Sequence, residues 1–130
     1  MASCINAGVD APNHLLELDA TGIRVLLQKK LPFVATLDDL RDDIDRVDEV
    51  LVRLLNERAR CVCEIGRLKK ELNIEIYQPD REKQVLQHVR TVASEGPLGP
   101  DAIARLFERI IDEARRLERR VVHGEETSNT

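Results

Sequence analysis

Residues 36–123 predict an all-α fold: a three-helix protomer with one very long first helix. Three observations carry that reading. Apolar residues recur in alternating steps of three and four from Leu37 to Leu72, the pattern of one continuous helical seam. Proline stands at two positions suited to helix starts, Pro79 and Pro100, and does not interrupt the seam. Aromatics are scarce (two Phe, one Tyr, no Trp) while Leu, Ile, Val, Arg, Asp and Glu dominate, which suits helices packed on helices better than a sheet.

Each element has its own local reason. Thr36 is a suitable cap for the first helix, with Asp38 and Asp39 in the first turn, where acidic side chains favour the positive end of the helix dipole. The seam then runs through Leu37, Leu40, Ile44, Val47, Leu51, Leu54, position 58, Cys61, Ile65, Leu68 and Leu72, and Asn73 is a natural stop. At 1.5 Å per residue its 36 residues span roughly 54 Å, longer than a small domain is wide. About 60 residues follow, too few to cover such a rod, so a dimer sharing two seams is expected. Pro79 opens a second helix, with Asp80 and Glu82 in its first turn and a stripe of Val85, Leu86, Val89 and Val92. The run from Ser94 to Pro100 is a turn by composition. A third helix starts near Pro100 and carries Ile103, Phe107, Ile110, Ala114, Leu117 and Val121.

Residues 1–35 form an N-terminal arm to which no chemistry is assigned, because Gly8, Pro12, Gly22 and Pro32 break up its apolar residues. The tail 124–130 is polar. One hundred and thirty residues fit one domain with a modest core. The net charge of −4 argues against a nucleic-acid partner, while leaving room for a local basic pocket that takes a small anion. Cys4, Cys61 and Cys63 show no disulfide framework, and Cys61 and Cys63 point to different helix faces, as expected of thiols in a reducing cytoplasm. No segment is long and apolar enough to span a membrane, and no basic stretch followed by an apolar run marks a secretion signal.

The chemistry-bearing residues are cations at helical spacing. The apolar period puts Arg58 where a core residue belongs, and a buried cation needs an anion. Lys69 lies eleven residues on, about 16 Å along the axis and on nearly the same face, so the two side chains could hold opposite ends of a small dianion. Arg41 lies seventeen residues before Arg58, about 25 Å away, and cannot reach the same ligand from its own helix. In an antiparallel dimer the partner's Arg41 could. The turn Ile76-Tyr77-Gln78-Pro79-Asp80-Arg81-Glu82 adds one more cation and a carboxylate.

Four fragments together resemble the all-helical chorismate mutases: Leu40-Arg41-x-x-Ile44-Asp45-x-x-Asp48, Leu54-Leu55-Asn56-Glu57-Arg58, Ile65-Gly66-Arg67-x-Lys69 and Tyr77-x-Pro79-x-Arg81-Glu82. Leu106-Phe107-x-x-Ile110-Ile111-x-x-Ala114 fits that family's last helix, so the likeness covers about residues 37–120. The resemblance implies an intertwined homodimeric bundle with two active sites, rearranging chorismate to prephenate with no cofactor and no metal. It implies that Arg58 and the partner's Arg41 bind the two substrate carboxylates, that Lys69 donates to the ether oxygen, that Glu82 accepts from the ring hydroxyl and that Arg81 shapes the anionic pocket. Elementary chemistry agrees: a unimolecular rearrangement needs no nucleophile. It needs a reactive conformer held in place and positive charge where the breaking C–O bond gains electron density.

Three positions depart from the family pattern or vary within it. Gln78 stands where the family often has an aspartate near the ring hydroxyl, and Ala114 replaces a small hydroxyl residue. Glu118, on the stripe of Phe107, Ile111 and Ala114, stands where some members have glutamine facing the ether oxygen. As a carboxylate it would repel the charge that develops there; as a neutral acid it could donate, so turnover is expected to favour the acid side. Two alternatives stay open: an isochorismate-pyruvate lyase or 4-amino-4-deoxychorismate mutase on the same helices, and a non-catalytic helical dimer that serves as a regulatory or partner-binding module.

Overall fold

The computed structural model describes residues 35–94 and 96–124. These form three α-helices: α1 (Leu37–Leu72), α2 (Pro79–Ala93) and α3 (Pro100–His123). The arm of residues 1–34 and the tail of residues 125–130 lie outside the described residues. The chain divides within α1 into two compact units, one ending at Arg58 and one beginning at Ala59. No described helix is long and apolar enough to cross a membrane.

The helix ends follow from local chemistry. Thr36 Oγ1 accepts the Asp39 N–H at 3.1 Å, and Asp39 Oδ2 accepts the Thr36 N–H at 3.1 Å, a reciprocal capping box with aspartate as the third helical residue. At the other end of α1, Asn73 takes a left-handed conformation (φ 56°), which asparagine tolerates better than most side chains. The Ile74 N–H then reaches back to the Lys69 carbonyl at 2.8 Å and the Asn73 N–H to that of Lys70 at 3.4 Å, the paired bonds of a Schellman stop. Pro79 and Pro100 both sit at helix starts, and neither helix has a side-chain cap. Gly124 closes α3 with φ 67°, donating its N–H to the Arg120 carbonyl.

In the first unit the seam is solvent-exposed: Leu40, Ile44, Val47 and Leu51 all have large accessible fractions, with Ile44 at 58 % and Leu51 at 50 %. In the second unit α2 packs along α3, and the exposed pair Arg90–Asp101 joins the end of α2 to the start of α3. Buried positions are Val62 and Gly66 of α1, Ala93 of α2, and Ala104, Ile111 and Glu118 of α3. The buried line of α3 is therefore 104–111–118, flanked by the half-buried Phe107, Ala114 and Val121. Val92, expected on the α2 stripe, is 62 % exposed while its neighbour Ala93 is buried, so the packed face at the end of α2 lies one residue round from the expected stripe. Cys61 is exposed and Cys63 half-buried, both as free thiols.

The seam of α1 is not the face this unit buries. Ile65, Leu68 and Leu72 remain exposed, while Val62, Gly66 and Lys69, about a quarter-turn round the helix, face inward. Gly66 explains the close approach: a Cβ there would lie 3.2 Å from Val121 Cγ1 and 3.6 Å from the Glu118 Cα. Glycine costs a helix interior about 1 kcal/mol relative to alanine, so here packing outweighs propensity. Gly66→Leu is expected to destabilise the fold by about 1–3 kcal/mol through overpacking, read as a lower urea midpoint at unchanged slope.

Candidate active site

The second unit brings together two of the residues singled out in the sequence. Lys69 Nζ, from the last turn of α1, donates to Glu118 Oε1 and Oε2 of α3 at 3.2 and 3.1 Å and to the Ile76 carbonyl at 2.8 Å. The two side chains are only 14 % and 10 % exposed, so the pair is shielded from water. The Schellman stop at Asn73 turns the chain so that Ile76 returns over Lys69. Lys69 is thus no solvated flank: a lysine that far out of water needs acceptors, and the carboxylate and the carbonyl supply them. An ammonium has three donors, and one carbonyl plus one chelating carboxylate occupy two directions, leaving a third for a ligand.

Glu82, half-buried in the first turn of α2, meets a residue the sequence reading passed over. Arg115 Nε lies 3.2 Å from Glu82 Oε2, and its Nη2 donates to Asp112 Oδ1 at 2.6 Å. The guanidinium carbon sits 5.6 Å from the centroid of the Tyr77 ring, within cation–π range. Arg115 is next to Ala114 and one turn before Glu118, and that spacing was the available signal. It was hidden because an arginine beside Arg116 on a charged helix reads as a solvated face.

The remaining predicted residues are placed singly. Arg81 and Gln78 are exposed, and the Gln78 amide donates to the Glu75 carbonyl at 3.0 Å, bracing the turn before α2. Ala114 is half-buried on α3. In the first unit Arg58 is half-buried, less than the fully buried cation its seam position suggested, because the seam itself lies open there. Arg41 is 65 % exposed, 3.9 Å from Asp38. Among the described residues no group of three or more His, Cys, Asp or Glu is placed to hold a metal ion.

Shielded cations on rigid helices, with one donor of Lys69 to spare, suit the binding of a small anion more than nucleophilic or metal chemistry. Known proteins point the same way. The family model for chorismate mutase type II matches residues 40–119. A bifunctional chorismate mutase/prephenate dehydratase of Aquifex aeolicus is 34 % identical over 88 residues, covering 65 % of this chain and 24 % of that protein. The T-protein of Enterobacter agglomerans is 38 % identical over 81 residues, covering 62 % of this chain and 22 % of the relative. A chorismate mutase of Methanocaldococcus jannaschii is 26 % identical over 96 residues, covering 74 % of this chain and 95 % of the relative. This chain therefore spans about a quarter of the Aquifex relative and of the T-protein and nearly all of the Methanocaldococcus one. No solved structure was found to match it. The matched stretch takes in nearly all of α1, the whole of α2 and most of α3, together with Lys69, Glu82, Arg115 and Glu118, and on that ground the chain belongs to the type II chorismate mutase family.

Proposed function

We propose that this chain rearranges chorismate to prephenate by a [3,3] shift, on the route to phenylalanine and tyrosine. It does so as a cytoplasmic homodimer with two sites and no cofactor. The observation that carries the reading, beside family membership, is the shielded Lys69 ammonium with a donor direction left over. That donor stabilises the charge growing on the ether oxygen as the C–O bond breaks. Arg58 and the partner's Arg41 hold the two carboxylates, so that the enolpyruvyl arm is kept over the ring. Glu82 accepts from the ring hydroxyl, Gln78 faces the same ring substituent and Arg81 adds positive potential at the rim. The open seam through Leu40, Ile44, Val47 and Leu51 is the dimer face. No large described side chain is fully buried within one chain, so much of the stabilising burial is left to the partner.

The test is to offer the purified chain chorismate, isochorismate and 4-amino-4-deoxychorismate separately. Prephenate from chorismate, with no pyruvate released, is the expected outcome. Arg58→Ala should lower kcat/KM by about 10²–10³-fold, the loss expected for a charged hydrogen bond to substrate, with the helical circular dichroism retained. Undiminished turnover would sink the substrate-binding role of Arg58, whereas a wild-type chain that leaves all three substrates unchanged would favour the non-catalytic module.

Glu118 holds Lys69 through both carboxylate oxygens, so its role is to aim the remaining ammonium donor at the ether oxygen. Glu118→Gln, which keeps a single acceptor oxygen, is expected to lower kcat more than it changes KM; an unchanged kcat overturns this role.

A further inference from the structure

We propose that Arg115 is a positioning residue that works through Glu82, orienting its carboxylate for the substrate's ring hydroxyl; this rests on the chorismate reading above. Three contacts define the guanidinium. Asp112, one turn earlier on α3, takes Nη2; the Tyr77 ring lies against its face; and the Nε edge is turned to Glu82 of α2. The first two contacts hold the arginine in place without the third, so the Nε edge is presented to Glu82 by a group whose own position is already set.

The Nε–H itself is unused. It is buried, 3.2 Å from Glu82 Oε2, yet it makes no aligned hydrogen bond. Leaving a buried donor unpaired is costly, and the nearest acceptor is one rotation away, because the terminal torsion of glutamate is broad and soft. When a substrate hydroxyl donates to Glu82 Oε1, the carboxylate plane is set and Oε2 swings onto the waiting Nε–H. Glu82 thereby gains a fixed orientation at the moment it binds, and the ring is held against rotation while the arm reacts.

The position in the helix matters as much as the contact. Arg115 and Glu118 are three residues apart on one face of α3. Glu118 holds Lys69, and Arg115 addresses Glu82. One turn of α3 therefore sets the spacing between the donor assigned to the ether oxygen and the acceptor assigned to the ring hydroxyl.

The experiment is a double-mutant cycle on chorismate turnover with Arg115→Gln, Glu82→Gln and the combined variant, with Tm measured for each. Arg115→Gln is expected to lower kcat/KM by about 10–100-fold, mostly in kcat, while in the Glu82→Gln background it adds less than about 2-fold. Arg115→Lys keeps the charge but lacks the Nε–H, and it should recover only part of the loss; it also serves the cycle if Arg115→Gln fails to fold. Equal losses in both backgrounds, or a lowered Tm with kcat/KM intact, overturn the positioning role and leave Arg115 as a helix brace. Wild-type protein that leaves chorismate unchanged overturns the chorismate reading and this role together, whereas wild-type turnover with an indifferent Arg115→Gln sinks this role alone.

Discussion

Lys69→Met is expected to lower kcat by about 10²–10³-fold, the loss typical of removing one preorganised donor from a developing oxyanion, with a smaller change in KM. Methionine keeps most of the lysine stem, so the packing around that stem is spared and the charge alone is lost. The same substitution leaves Glu118, only 7 % exposed, as a buried carboxylate without its cation. Breaking one side of a buried pair costs about 3–5 kcal/mol, and the low end applies because both side chains keep some solvent contact. Lys69→Met/Glu118→Gln should regain most of that stability, since a neutral amide is cheap to bury beside the Ile76 carbonyl, yet regain none of the rate. Urea unfolding and initial rates on the wild type, Lys69→Met, Glu118→Gln and the double variant separate the two effects. A double variant that recovers turnover would show that Lys69 serves only to neutralise Glu118.

The second large effect concerns the proposed sharing of each site between two chains. Arg41→Ala and Arg58→Ala proteins should each be nearly inactive, yet mixing them after co-refolding should restore about a quarter of wild-type activity. Random pairing puts half of the dimers in mixed form, and each mixed dimer has one of its two sites intact if Arg41 crosses the interface. No recovery on mixing would place Arg41 and Arg58 in the same chain's site, or outside the site altogether. Leu51→Glu addresses the interface itself. Leu51 is already half exposed in the single chain, so the change costs an isolated protomer little, whereas a seam packed on a second seam cannot accommodate the charge. Sedimentation should then report monomer, with turnover falling in step.

Much of the local structure was legible residue by residue. Thr36, Pro79, Pro100 and Asn73 mark helix ends in the sequence and occupy them in the structure, because capping, proline geometry and the left-handed stop depend on a few neighbouring atoms. The seam was legible too, as a periodicity. What periodicity did not reveal is which face a helix turns to its own chain. The seam residues Ile65, Leu68 and Leu72 stay exposed, and a glycine and a lysine occupy the packed face instead. A heptad pattern records where apolar side chains are, while the contact between α1 and α3 needs a small residue and a paired charge.

The candidate site divides along the same line. Arg41, Arg58 and Lys69 could be named from type and spacing, since cations inside an apolar pattern are costly and therefore informative; Arg81 and Glu82 came from the turn that opens α2, and Glu118 from the family resemblance. Their partners could not. That Lys69 meets Glu118 across 49 positions, and that Arg115 stands beside Glu82 across 33, depends on how three helices pack. By itself the sequence determined an all-helical chain, its helix ends and a short roster of charged candidates, because these follow from interactions within a turn or two. Only the tertiary structure decided which charge holds which: those pairings join residues far apart in the chain, and a single glycine, Gly66, lets the helices come close enough to make one of them.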